Sequence, residues 1–334
     1  MSSSNLNIAK GGKSNQVFSP GSIFDFIIKY GIYFVFILLV VVLTIASPAF
    51  LTIDNMTNVL LQLSVIGMIS VGMTFVIIVR GIDVSVGSIV ALSSVIGTYY
   101  LIYQKVNPLL GILIMILVSV VLGLFNGIGV AYLKMPAFIV TLATMQMARG
   151  VALAISGGQA WYNLPPLFKM IGNSKLGPVP LPVLLFALCA LTGYIILSKT
   201  VFGKQVYAVG GNPVAAKVSG INVDMVILLT FLLSGIFVGI SSVTITSRMN
   251  CYFPQVGQNY EFDAIASVVI GGTSLFGGEG WIGGTILGVL IMGVINNALN
   301  LLNVSPFFQL VAKGLIIFLA VLIDTLKTRS THSR

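Results

Sequence analysis

The chain has 334 residues, of which 57% are apolar and only 7% charged, and its formal net charge is +9. Soluble proteins carry about 25% charged residues, so a water-solvated domain of this length is excluded. The positive charge does not point to nucleic acid, because the cations fall between long apolar runs in a pattern that reads as membrane topology.

The apolar runs are continuous and not alternating, which excludes a lipid-facing β-barrel. Ten of them are long enough to cross hydrocarbon as helices: about 30–46, 58–79, 84–104, 109–133, 136–155, 181–198, 225–247, 263–277, 282–302 and 307–326. The expected fold is therefore an all-α polytopic membrane protein of about ten transmembrane helices. Residues 1–29 read as a cytoplasmic N-terminal tail, 30–326 as one transmembrane domain and 327–334 as a cytoplasmic C-terminal tail. With ten spans, the side holding both termini carries Lys10, Lys13, Lys29, Arg80, Lys134, Lys199, Lys204, Lys217, Lys327, Arg329 and Arg334. Basic residues gather on the cytoplasmic side, so both ends are expected there.

Residues 1–29 are rich in Ser, Asn, Gly and Lys, a composition that does not build a core. Gly12-Lys13-Ser14 imitates the end of a phosphate-binding loop. However, Asn7 stands where the motif's first glycine belongs and no strand precedes it. The chain is thus expected to bind no nucleotide or other cofactor. The first run, Ile45-Ala46-Ser47-Pro48-Ala49 included, reads as a retained helix and not a cleaved signal.

Between the second and third runs lies Arg80-Gly81-Ile82-Asp83-Val84-Ser85-Val86-Gly87. Here Arg80 could pair with Asp83, and Asp83 could cap the third helix. The segment is then either a capped re-entrant turn or a turn beside a translocation path. Asn126, Thr141, Thr144, Gln146, Asn296 and Asn297 place amides and hydroxyls within spans. They serve either interhelical bonding or a polar path for an uncharged polyol. Ser156 to Pro182 forms a longer outer loop with Trp161-Tyr162 and Pro165-Pro166, either lying on the membrane or receiving an external partner. Cys189 and Cys251 are placed too differently for a disulfide.

The inner loop 199–223 is more readable. Asn212 is a good N-cap, Pro213 suits the first helical position, and Gly220 suits the left-handed residue after the last turn. Between them Val214-Ala215-Ala216-Lys217-Val218-Ser219 makes about two turns, too short to stand alone in water. Its face of Val214, Ala215 and Val218 must pack either on its own membrane domain or in a groove on a cytoplasmic partner.

The glycine-rich stretch Gly271 to Gly284 permits close helix contact or unwound backbone lining a cavity. Gly123, Asn126, Pro136 and Phe138 align with Gly293, Asn296, Pro306 and Phe308 at one offset of 170 residues. That shift maps helices 2–5 onto 7–10 with reversed orientation, an inverted repeat of the kind found in transporters. Arg149 and Lys313 fall within spans, where snorkelling would serve them.

Catalysis has little to work with. The one histidine is His332, and no HExxH, cysteine cluster or Ser–His pair is present, so the chain is not expected to be an enzyme. The acids lie near expected span ends, which leaves no clear ion relay. Energy should therefore arrive through the inner loop from another subunit.

At Gly81-Ile82-Asp83-Val84-Ser85-Val86-Gly87, at Gly211 to Ile221, at Glu261-Phe262-Asp263-Ala264-Ile265-Ala266, at Gly271 to Gly278 and at Lys313-Gly314 the chain resembles the permease subunit of the ribose-type family of bacterial ATP-binding-cassette (ABC) importers. The resemblance implies an inner-membrane importer of a monosaccharide or similar neutral polyol. It implies a second permease subunit, a cytoplasmic ATPase that binds ATP and Mg, and a periplasmic sugar-binding protein. It also implies that Asn212, Pro213, Val214, Ala215, Ala216, Lys217, Val218, Ser219 and Gly220 form the coupling element. Asp83, Ser85, Asn126, Thr141, Gln146, Asn296 and Asn297 are candidates for the path. The family usually has glycine where this chain has Arg80, and the extra cation could form a local pair or alter the path. The competing classes are a self-sufficient carrier or channel and a permease for branched-chain amino acids.

Overall fold

The structure, a computed structural model, describes the backbone of residues 20–332 and the side chains of 31–326; most of the expected N-terminal tail and the side chains of the C-terminal tail lie outside the described residues. The first helix, α1, is Pro20–Ala46 and so begins inside the stretch expected as tail. It is followed by α2 Ile53–Ile78, α3 Val86–Ile102, α4 Pro108–Ala131, α5 Ala137–Ser156 and the short α6 Pro166–Asn173. A two-strand hairpin, β1 Lys175–Leu176 and β2 Val179–Pro180, leads into α7 Leu181–Lys199. Then come α8 Val201–Gly211, α9 Pro213–Val218, α10 Val223–Met249, α11 Tyr260–Ile270, α12 Ile282–Leu301 and α13 Pro306–His332.

Among the described residues, seven helices are long and apolar enough to cross a membrane: α2, α4, α5, α7, α10, α12 and the Pro306–Leu326 part of α13. The protein is a multi-pass, helical integral membrane protein. The expected eighth span, 263–277, takes a different form. Helix α11 has eleven residues, about 16 Å of rise and half the hydrocarbon thickness. Beyond Gly271 the chain runs irregularly to Trp281, because Gly272, Gly277 and Gly278 adopt positive φ, which a helix cannot contain.

The centre of the bundle is α2. Every residue from Gly67 to Ile78 is buried, as a helix apolar on all sides requires. Val65, Ile69, Met73 and Ile77 supply one core with α3, α5 and α11, while Met68, Val71, Phe75 and Ile78 supply another with α7 and α8. Beside it α4 and α10 pack backbone to backbone. A side chain on Gly123 would meet the Phe231 carbonyl at 2.6 Å, and one on Gly235 the Ser119 carbonyl at 2.7 Å. Gly127 and Gly239 repeat each contact one turn further on, the small-xxx-small device of membrane helices.

Hydroxyls within the spans return to the preceding turn, as Thr74 does to the Ser70 carbonyl at 2.8 Å. A few bridge helices: Thr74 to Thr285 at 2.7 Å and Thr246 to Ser94 at 2.8 Å. Asn297 exchanges two amide hydrogen bonds with Asn55, at 2.8 and 3.0 Å, and so joins α2 to α12.

The loops sort onto two ends. At one end the α2–α3 turn, α8–α9 and residues 271–281 meet, and Gly278 N–H donates to the Ile78 carbonyl at 2.9 Å. Lys134 pairs there with Asp224. At the other end the 156–182 loop folds onto the bundle. Phe168 is buried, its carbonyl accepts from Ser247 Oγ at 2.6 Å, and Trp161 pairs with Tyr252 through backbone bonds of 2.9 and 3.0 Å.

Gly235→Leu should break the α4–α10 contact. Overpacking of this kind costs roughly 1–3 kcal/mol, and the expected result is a lowered unfolding midpoint in detergent, by several degrees, measured by circular dichroism.

Candidate coupling and translocation sites

Three groupings of polar residues are built into this bundle. The first projects at the end shared by α8 and α9. Asn212 Oδ1 accepts from Ala215 N–H at 3.0 Å, Pro213 opens α9, and Gly220 closes it at φ +83°. Each of the three local signals in the sequence is thus placed as expected. Only Ala216 turns back into the protein, joining the core that α7 and α8 line. Val214 and Val218 are 74% and 85% exposed, so the apolar face of α9 is not packed on its own membrane domain.

Ahead of α9 the inner loop holds an eleven-residue helix, α8, which the glycines at 203, 210 and 211 obscure in the sequence. The phenol of its Tyr207 donates to the Gly280 carbonyl at 2.6 Å, and burial raises its pKa, which keeps it protonated as a donor. Gly210 lies against the Ile78 carbonyl and the Gly278 amide, too close for any side chain.

Arg80 does not pair with Asp83. Its Nε donates to the Gly210 carbonyl at 2.6 Å and its Nη2 to the Gly211 carbonyl at 2.5 Å. These are the last two carbonyls of α8, where a helix concentrates negative partial charge. The cation therefore ties the α2–α3 turn directly to the helix that carries α9, from a backbone at φ +66°.

Asp83 belongs to the second grouping. Its Oδ1 accepts from Ser85 N–H at 2.9 Å and from Ser85 Oγ at 2.5 Å. It therefore makes a turn ahead of α3, and Ser85, not Asp83, occupies the N-cap position. Ser85 Oγ accepts from Asn126 Nδ2 at 2.9 Å, and Asn126 Oδ1 accepts from Thr144 Oγ1 at 2.6 Å. Thr141 closes the group by donating to the Ile82 carbonyl at 3.1 Å. All five side chains are buried, and together they bond the turn, α4 and α5 into one unit. Gln146 lies elsewhere, exposed on α5.

Snorkelling does not describe Arg149 or Lys313. Arg149 Nη1 donates to the carbonyls of Pro254 and Val256 at 3.1 and 2.9 Å, holding the loop between α10 and α11. Lys313 Nζ donates to Asp263 at 2.9 Å, an ion pair between α13 and α11.

The third grouping is a cavity of about 360 Å³ bounded by α2, α10, α11, α12 and α13. Asn296, Lys313 and Asp263 line it, together with Gln62, Arg248 and Tyr260. Asn297 is not among its lining residues; its amide is committed to Asn55. Among the described residues no group of three His, Cys, Asp or Glu side chains could hold a metal ion.

The chain is thus a multi-pass helical membrane bundle with internal polar groupings and a capped helix exposed at one end, an architecture suited to transport. The chain belongs to the family described as branched-chain amino acid transport system / permease component, whose model matches residues 55–321. This bears out the resemblance to ABC importer permeases. The chain is similar to the ribose import permease protein RbsC of Haemophilus influenzae, 39% identical over 90% of this chain and 94% of the relative. It is likewise similar to that of Bacillus subtilis, 42% identical over the same shares. The L-arabinose transport system permease protein AraH of Escherichia coli is 37% identical over 99% of both chains. No solved structure matches the chain.

Replacing Arg80 by Ala removes two charge-assisted bonds, together worth roughly 1.5–3 kcal/mol or more. Hydrogen exchange at the amides of 210–220 should accelerate on the order of tenfold, while exchange in the centre of α2 stays unchanged.

Proposed function

We propose that this chain is the membrane subunit of an ATP-driven importer that moves a monosaccharide or related neutral polyol into the cytoplasm by alternating access. The observation that carries this is the apolar face of α9, which is capped at both ends, anchored through Ala216 and left uncovered by its own protein. So short a helix with Val214 and Val218 in water fits a groove on another subunit. That subunit is a cytoplasmic ATPase, which binds ATP and Mg and hydrolyses the nucleotide; this chain catalyses nothing. Nucleotide-driven closure would move α9, and Arg80 would pass that movement to the turn between α2 and α3.

The remaining parts follow from the family. A periplasmic sugar-binding protein delivers cargo at the end opposite α9, and a second permease subunit completes the path. In the inner membrane α1, α2, α3, α4, α5, α7, α10, α11 continued by residues 271–281, α12 and α13 make ten passages, with both termini cytoplasmic. Helices α2–α5 and α10–α13 form the two halves of an inverted repeat. Sugar is favoured as cargo because the relatives named above carry ribose and L-arabinose in their names. The family description names branched-chain amino acids instead, and the Lys313–Asp263 pair is the charged pair a zwitterion could use. The two groups are already bonded to each other, however, so a zwitterion would have to break that bond.

The test is reconstitution of the permease with its ATPase and binding protein in liposomes. Uptake of D-ribose, L-arabinose, D-allose and L-leucine identifies the cargo, and an aldose is expected. Ala215→Glu places a charge on the docking face, and Gly220→Pro demands a φ near −65° where +83° is required. Both should reduce uptake at least about tenfold and abolish stimulated ATPase activity, with membrane insertion intact. Wild-type uptake in both variants, or uphill uptake by the purified chain alone, refutes the assignment.

A further inference from the structure

The two halves of the bundle treat matching asparagines differently. Asn126 on α4 is satisfied by Thr144 on α5 at 2.6 Å. The positions 170 residues further on are Asn296 on α12 and Gly314 on α13. A glycine offers no hydroxyl, and this one is exposed on α13. Among the described residues, Asn296 Oδ1 is one of six buried side-chain atoms without a hydrogen-bond partner. Burying such an acceptor unmatched costs about 1–3 kcal/mol, so the arrangement calls for a donor from outside the chain.

That acceptor lines the 360 Å³ cavity, which is within the range of small-ligand sites, about 300–1,000 Å³. The cavity lies far from α9. Gln62 on its wall is sixteen residues from Ile78, roughly 24 Å along α2 from the α8–α9 end. The outer wall is α13, of which no described residue between Pro306 and Leu326 is buried. Its Lys313 is neutralised by Asp263, while the amide of Gln62 and the guanidinium of Arg248 add further donors. Phe253 and Tyr260 contribute aromatic surface. An uncharged ligand with several hydroxyls matches this lining. It donates to Asn296, accepts from Gln62 and Arg248, and brings no charge to desolvate. A zwitterion matches poorly, since its ammonium group would face two cations whose one nearby carboxylate is already engaged.

We propose that this cavity, within a single subunit and at the end of the bundle opposite α9, is a resting site for one monosaccharide, with Asn296 as its central acceptor. The proposal rests on the sugar-importer function argued above and adds where the cargo pauses. Asn296→Leu removes the acceptor, and Gln62→Leu removes one of the donors on the α2 wall. In liposomes containing the complete importer, either variant should lower uptake of the aldose that the wild type carries at least tenfold. ATPase stimulation by the loaded binding protein should persist, which a misfolded subunit would not allow. Independently, Asn300→Cys in a Cys251→Ser background places a thiol on the cavity wall. D-Ribose, L-arabinose or D-allose, whichever is carried, should slow its alkylation at least threefold, and L-leucine should not. Normal uptake in both variants, or alkylation indifferent to sugar, overturns the site while leaving the importer function intact. Uptake of L-leucine and of no aldose by the wild type overturns both.

Discussion

Hydrocarbon offers no hydrogen bonds, so each polar group placed inside the bundle must be matched by the protein itself. This constraint organises most of what the structure shows. Serines and threonines fold their hydroxyls onto the carbonyl four residues back, which costs no interhelical geometry. The few groups that cannot do so become joints between helices: Asn55 with Asn297, Thr74 with Thr285, and the line from Asp83 through Ser85 and Asn126 to Thr144. Glycines supply the complementary condition, since only bare backbone lets α4 and α10 come close enough for dispersion forces to hold them. Six buried side-chain atoms among the described residues depart from this rule, and one of them, Asn296 Oδ1, belongs to a residue that lines the polar cavity.

How much of this was legible in the sequence depended on the range of each interaction. The cap of α9 was readable because Asn212, Pro213 and Gly220 act within eight residues of one another. The helical membrane class was readable from composition alone. Partners distant in sequence were not. Arg80 meets carbonyls 130 residues away, and Asp83, three residues away, satisfies itself on Ser85 instead. Arg149 and Lys313 looked like cations needing water, yet one holds loop carbonyls and the other an acid on a neighbouring helix. The eighth apolar run was continuous in hydropathy, but its glycines end the helix at half the membrane thickness. The glycine spacings 123/127 and 235/239 were a usable signal for helix contact, although not for which helix meets which.

The two ends of the protein divide their chemistry accordingly. One end gathers α8, α9, the α2–α3 turn and the glycine-rich 271–281 segment into a seam of close backbone contacts, where small displacements must be shared among all four. The other carries the folded 156–182 loop and the polar cavity. Helix α2, buried throughout from Gly67 to Ile78, runs between them.

Arg80 lies in left-handed backbone, which costs a residue with a side chain roughly 1–2 kcal/mol. Its two bonds to the end of α8 offset that cost. Position 80 therefore has an unusual ranking of substitutions. Glycine relieves the backbone while giving up the tether, whereas alanine gives up the tether and keeps the strain. The smallest residue is thus the milder loss, and the reach of a guanidinium to a helix end is what separates arginine from alanine here.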